Sequence, residues 1–141
     1  MPARSSAKEQ VEPEYRLLIT PHVAERTLRS VTRVILETTK TFATFSYELS
    51  VGEEIHDGSI ALSVLGFKTP HLTMPAPGPA RFRKEYEGLH GMYTLVITGI
   101  DGRQNSFSLR ISSKKVELLT SPRKSFVQIV TDASHWMSPT T

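Results

Sequence analysis

The densest cluster of chemically reactive side chains in the sequence is Glu-Glu-Ile-His-Asp at residues 53–57. Alternation along a strand would place Glu54 and His56 on one side, and imidazole with carboxylates can bind a divalent metal. A metal site needs three or four converging ligands, and no second histidine lies nearby in the sequence. We therefore predict a solvated hairpin end, with no metal and no cofactor. No ligand spacing relates the other four histidines, which are His22, His71, His90 and His135.

Common catalytic signatures are absent from the sequence. It contains no phosphate-binding loop, no dinucleotide-binding glycine pattern, no paired-histidine zinc motif and no nucleophile elbow. It also contains no cysteine, which excludes disulfides, thiolate metal sites and cysteine nucleophiles. Enzymes that assemble their residues from distant loops escape this test, so the sequence argues against catalysis and an enzyme stays an open alternative.

A basic and aromatic run, Arg-Phe-Arg-Lys at residues 81–84, raises nucleic-acid binding as an alternative. Cations can hold phosphates while an aromatic ring stacks on a base. The net charge is only +3, although residues 103–141 carry six basic and two acidic side chains. Strand alternation divides the run and two glutamates follow it, so we favour a solvated strand face and expect no nucleic-acid partner. The candidate contacts are Arg81, Arg83 and Lys84.

A proline-rich segment at residues 66–80 is the predicted interaction surface. Loops longer than about 12 residues are uncommon in compact domains and tend to be functional or disordered. The alternative is a crossing between two sheets that buries Leu72 and Met74, and both interpretations stay open. The candidate interaction residues are Phe67, Pro70, His71, Leu72, Met74, Pro75, Pro77 and Pro79.

The domain organisation follows from polarity and proline. We predict a flexible N-terminal arm at residues 1–13, a single β domain at residues 14–133 and a C-terminal tail at residues 134–141. In that tail, Trp136 either binds a partner or anchors the tail to its own domain. The longest apolar runs are three residues, so we expect no membrane span. No apolar stretch follows the charged first ten residues, and we expect a cytoplasmic protein.

Strand patterns dominate the middle and the end of the chain. Alternation over residues 43–51 predicts a half-buried strand, and Asp-Gly at 57–58 and at 101–102 predicts two hairpin turns. Residues 21–37 are ambiguous, because a helical face through Ala24, Leu28, Val31 and Ile35 competes with many β-branched residues. A short helix and a strand both remain open for this stretch.

Seven or eight short strands with regular turns predict a mainly β fold, an antiparallel β-sandwich or a closed barrel, and we favour the sandwich. Residues 89–95, Leu-His-Gly-Met-Tyr-Thr-Leu, resemble the tyrosine corner of immunoglobulin-like domains, which implies a fold class and no activity. The predicted core consists of Phe45, Tyr47, Leu49, Leu62, Val64, Tyr93, Leu95, Ile97, Phe107, Leu109 and Ile111.

Three functions remain open at this point. The first is a non-enzymatic module that binds a protein partner or self-associates. The second is a nucleic-acid-binding module that uses the basic C-terminal third. The third is a barrel that encloses a small ligand, which requires an internal cavity.

Overall fold

The computed structural model describes residues 13–42, 47–68 and 78–136, which form nine strands and one short 3-10 turn. The strands, in chain order, are β1 (Tyr15–Val23), β2 (Ser30–Phe42), β3 (Glu48–His56), β4 (Ser59–Lys68), β5 (Gly78–Tyr86), β6 (Gly91–Thr98), β7 (Gln104–Ile111), β8 (Val116–Thr120) and β9 (Val127–Val130). The 3-10 turn, Ala133–His135, follows β9. No helix in these described ranges is long and apolar enough to span a membrane.

All nine strands belong to one mixed sheet in the order β8-β7-β6-β4-β3-β5-β2-β1-β9. Strands β4 and β6 are parallel, as are β1 and β9. The sheet curls into a nearly closed, barrel-like form, and β8 returns to contact β1. The mainly β prediction is therefore confirmed, whereas an antiparallel sandwich of seven or eight strands is not what the chain forms. A sheet that curls on itself buries one face without needing a second sheet.

Residues 21–37 form the end of β1, a turn at 24–29 and the first part of β2, so the possible short helix is wrong. Strand β1 pairs with β2 in antiparallel register from Tyr15 opposite Thr38 to Val23 opposite Ser30. The β-branched side chains of β2 pack well on a sheet and lose freedom in a helix, and this preference prevails over the helical spacing. Proline lacks the amide hydrogen that a strand ladder requires. Pro21 is tolerated in β1 because β1 pairs with β9 only as far as Leu18, so beyond Leu18 that side of β1 has no ladder partner among the described residues.

The core lies on the inner face of the curled sheet. Strand β7 shows the alternation most clearly, because Phe107, Leu109 and Ile111 are buried while Ser106 and Arg110 are exposed. The prediction is confirmed for eight residues: Leu49, Leu62, Val64, Leu95, Ile97, Phe107, Leu109 and Ile111. Tyr47 and Tyr93 are partly buried against this core, and Phe45 lies outside the described residues.

The strand directions give the curled sheet two ends. One end, called here the turn end, gathers the turns after β1, β3, β5 and β7. The other, called the aromatic end, carries Phe42, Tyr47 and Phe67. At the turn end the hydroxyl of Tyr93 accepts a hydrogen bond from the amide of His90 at 3.2 Å. The expected tyrosine-to-backbone bond is therefore present, although the sheet around it is not a clear sandwich.

Candidate functional site

Three aromatic rings cluster at the aromatic end, where β2 ends and β3 begins. Phe42 contacts Tyr47 edge-on with ring centroids 5.1 Å apart, and it contacts Phe67 at 5.6 Å. Phe67 lies opposite Leu49 in the β3–β4 ladder, so this ring continues the core toward the end of the barrel. Edge-on pairs of this kind add to the energy of apolar burial. The cluster therefore fixes the end of β4 against its neighbours.

The second half of β4 is an open strand edge. Strand β4 pairs with β6 only from Ser59 to Ser63, and residues 64–68, called here the β4 edge, have no ladder partner on that side within the described chain. An irregularity in the β3–β4 ladder makes Leu65 an extra residue, and its side chain is 67% exposed. Phe67 is 47% exposed. Ile100, which follows the last paired residue of β6 by two positions, is also exposed.

The structure describes two of the eight candidate interaction residues of the predicted loop. Phe67 belongs to the β4 edge, and Pro79 is buried within β5 opposite Thr41. The paired strands reach Lys68 on one side and Gly78 on the other, so the connecting segment is shorter than the predicted 66–80. The remaining candidates lie outside the described residues, and their role stays a prediction: Pro70, His71, Leu72, Met74, Pro75 and Pro77.

The three predicted nucleic-acid contacts each lie near a carboxylate. Arg81 donates to Glu37 at 2.8 Å. The ammonium of Lys84 lies 3.3 Å from Glu53, and the guanidinium of Arg83 lies 4.0 Å from Glu85. These neighbours offset much of the positive charge that a phosphate backbone would require.

Glu37 is a buried ionisable residue that the sequence did not reveal. Its side chain is completely buried on β2, with Arg16 of β1 and Arg81 of β5 directly opposite on either side. Both arginines donate to its carboxylate, and the guanidinium of Arg16 lies 4.3 Å from the ring centroid of Trp136. Buried charges are normally paired in this way. The arrangement joins three strands, and through Arg16 it also contacts Trp136 near the end of the described chain.

The acidic cluster at 53–57 is exposed, as predicted. The imidazole of His56 lies 3.3 Å from Glu54, and about two thirds of each side chain is exposed. Among the residues that the structure describes, no group of three metal-binding side chains occurs. Glu53 instead accepts a hydrogen bond from the hydroxyl of Tyr86 at 2.6 Å. Burial, and then this carboxylate, raise the pKa of the Tyr86 hydroxyl above its ordinary range.

Two open pockets lie at opposite ends of the barrel. The pocket at the aromatic end has a volume of about 290 Å³ and is lined by Arg103, Gln104, Asn105, Lys124 and Phe126. Hydrogen bonds to Glu14, and then to Asp101, raise the pKa of Arg103, and its own bonds lower the pKa of Asp101. An anion there would compete with these two carboxylates. The pocket at the turn end, of about 220 Å³, has a different lining of hydroxyl and apolar groups.

Comparisons of this chain with protein-family models, with curated proteins and with solved structures found no match.

Proposed function

We propose that this chain is a protein-interaction module that acts by binding, and that it self-associates by pairing the β4 edge with the β4 edge of a second copy. The observation that carries the proposal is a five-residue strand segment whose one side has no ladder partner among the described residues, and which has two exposed apolar side chains, Leu65 and Phe67. An open strand edge presents unpaired amide and carbonyl groups that can extend the ladder into another chain.

The composition of the β4 edge favours pairing. Natural strand edges are usually protected by charged residues, by proline, by a β-bulge or by a covering element, and the β4 edge has the bulge at Leu65. Here residues 64–68 read Val-Leu-Gly-Phe-Lys, which includes no proline and one charge. That charge, on Lys68, lies 3.8 Å from Glu48 of the same chain. The edge therefore carries little net charge to repel a second copy of itself.

The geometry suits a twofold pair. Two identical edges placed antiparallel are self-complementary, which is the simplest closed symmetry for a homo-oligomer. Pairing would remove Leu65 and Phe67 from water, and the exposed Ile100 lies at the same end of the β4–β6 ladder. Contiguous exposed apolar groups on a soluble protein commonly mark an interaction site.

Sedimentation velocity from about 1 µM to about 1 mM tests this proposal, because the range spans weak to moderate association. We expect the wild-type sedimentation coefficient to rise with concentration toward that of a dimer. Leu65→Lys places a charge on the β4 edge and should remain monomeric throughout. Met92→Lys is the matched control, because Met92 is 54% exposed and lies on β6 at the turn end.

Both substitutions replace exposed side chains, so both proteins should remain folded. Association of the Met92→Lys protein should equal that of the wild type. A wild type that remains monomeric at the highest concentration would overturn the proposal. So would a Leu65→Lys protein that dimerises as strongly as the wild type.

A further inference from the structure

The pocket at the turn end lies across the mouth of the barrel. Residues from β2, from the turn after β5 and from the turn after β7 contribute to its wall. Five side chains with hydroxyl groups line it: Ser30, Thr32, Tyr86, Ser112 and Ser113. The hydroxyls of Tyr86 and Ser112 are hydrogen-bonded to Glu53 and to the carbonyl of Lys115. Val31, Tyr86 and Leu89 supply apolar surface. A concave, partly apolar pocket with a few converging polar groups is the usual form of a small-molecule site.

Thr32 is the informative residue of this pocket. It is only 4% exposed, and it shares the inner face of β2 with Val34 and Leu36, so its side chain points into the mouth. In the described parts of the chain, no side-chain or backbone group forms a hydrogen bond with its hydroxyl. Buried polar groups in folded proteins nearly always have a partner, and an unpaired one is unfavourable. A bound molecule with its own hydroxyl would supply that partner.

The lining also defines the charge of a suitable ligand. Of the nine residues around the pocket none is acidic, lysine or arginine, and the one titratable imidazole belongs to the exposed His90. A charged ligand would therefore lose water without gaining a counter-ion. Serine and threonine hydroxyls each donate and accept, so they match ligand hydroxyls in either role.

The size of the pocket limits the ligand to about one ring. A volume of about 220 Å³ equals that of roughly seven water molecules, at about 30 Å³ each. We infer that this pocket binds a neutral, polyhydroxylated molecule of the size of a monosaccharide or cyclic polyol. The hydroxyls of Ser30, Thr32 and Ser113 face the hydroxyl groups of that molecule, while the apolar wall packs against its carbon–hydrogen face.

Two lining residues are held in place by hydrogen bonds to groups outside the pocket. The hydroxyl of Tyr86 donates to Glu53 at 2.6 Å, which fixes the ring. The hydroxyl of Ser112 accepts hydrogen bonds from the amides of Lys114 and Lys115, which orders the turn that carries Ser113. A wall that is ordered before binding loses less freedom when a molecule enters. This site is at the opposite end of the barrel from the β4 edge, so its test is independent of the self-association proposal.

Titration of the isotope-labelled protein, followed by amide chemical shifts, tests the inference. The probes are D-glucose, D-ribose and myo-inositol. We expect at least one of them to produce saturable shifts at Ser30–Thr32, at Gly88–His90 and at Ser112–Ser113. Thr32→Val replaces the hydroxyl with a methyl group of similar size and should weaken that binding by about three- to tenfold, the range for one neutral hydrogen bond.

Thr20→Val is the matched control, because Thr20 is also a buried strand threonine but does not line the pocket. Its affinity for the same probe should equal that of the wild type. If the amide spectrum of Thr32→Val shows that this variant is unfolded, Ser113→Ala, at an exposed turn, serves as the second test variant. The inference is wrong if none of the three probes produces saturable shifts, or if every folded variant binds as tightly as the wild type. Stronger shifts with indole or with glucose 6-phosphate would refute the neutral hydroxylated class.

Discussion

Replacing Glu37 with glutamine should destabilise the fold far more than the same change at an exposed carboxylate. Glu37 is completely buried and accepts hydrogen bonds from both Arg16 and Arg81. Glutamine has the same shape but carries no charge, and it turns one acceptor oxygen into a donor that faces an arginine. Two guanidinium groups would then remain side by side without their shared counter-ion.

The size of the effect follows from how well each arginine can be rehydrated. Removing one partner of a buried ion pair destabilises by about 3 to 5 kcal/mol. The side chain of Arg81 is 42% exposed and can recover water, whereas that of Arg16 is 19% exposed and lies against Trp136. We therefore expect the lower part of this range, about 3 kcal/mol. In a domain of this length, that loss lowers the melting temperature by about 10 °C.

Urea unfolding at pH 7 measures the difference in unfolding free energy between variant and wild type. The dependence of that free energy on urea concentration must be the same for both proteins, so that a change of midpoint reports a change of stability. Glu117→Gln is the matched control, because Glu117 also lies between two cations, Arg110 and Lys115, but its side chain is 37% exposed. That change should lower stability by at most about 1 kcal/mol. Equal losses for the two variants would refute the claim that burial makes the Glu37 contacts strong.

Two further predictions concern the core and the pH dependence of stability. Phe107→Ala should destabilise by about 3 to 5 kcal/mol in urea unfolding, because Phe107 is 2% exposed, and an unchanged midpoint would contradict its burial. Hydrogen bonds from Arg33 lower the pKa of Glu85 below its ordinary value of 4.5. The ionised carboxylate therefore stabilises the folded state fully at pH values above 4.5, and this stabilisation is lost as the pH falls through the lowered pKa. The melting temperature of Glu85→Gln should therefore fall less steeply with acid than that of the wild type, and identical acid profiles would refute this.

The strands that alternate locally were predictable from the sequence. In β7 the apolar residues Phe107, Leu109 and Ile111 recur every second position, and one buried face is enough to explain that pattern. The stretch 21–37 was ambiguous because its helical spacing and its β-branched composition disagree. Its outcome depends on pairing with β1 across a short turn and on pairing with β5, and the contact with β5 is non-local and leaves no local signal.

Closure of the sheet and burial of Glu37 were not predictable for the same reason. The parallel pairing of β4 with β6 and of β1 with β9 joins residues that are far apart in the chain. Glu37 is one of three charged residues in β2, and the sequence does not distinguish it from the others. Its burial is tolerable only because Arg16 and Arg81 lie opposite it on the two neighbouring strands. The β4 edge likewise depends on where its pairing with β6 ends. Neither the order of the strands nor that ending is recorded in composition or periodicity.

Amide hydrogen exchange of residues 64–68, compared at low and high protein concentration, tests the proposed self-association most directly. Unpaired strand amides exchange readily, and formation of a ladder between two copies protects them. We predict that exchange in this segment slows as concentration rises, while the paired amides of β7 remain unchanged, and that Leu65→Lys abolishes the effect. Exchange in residues 64–68 that is independent of concentration in the wild type would contradict pairing through the β4 edge.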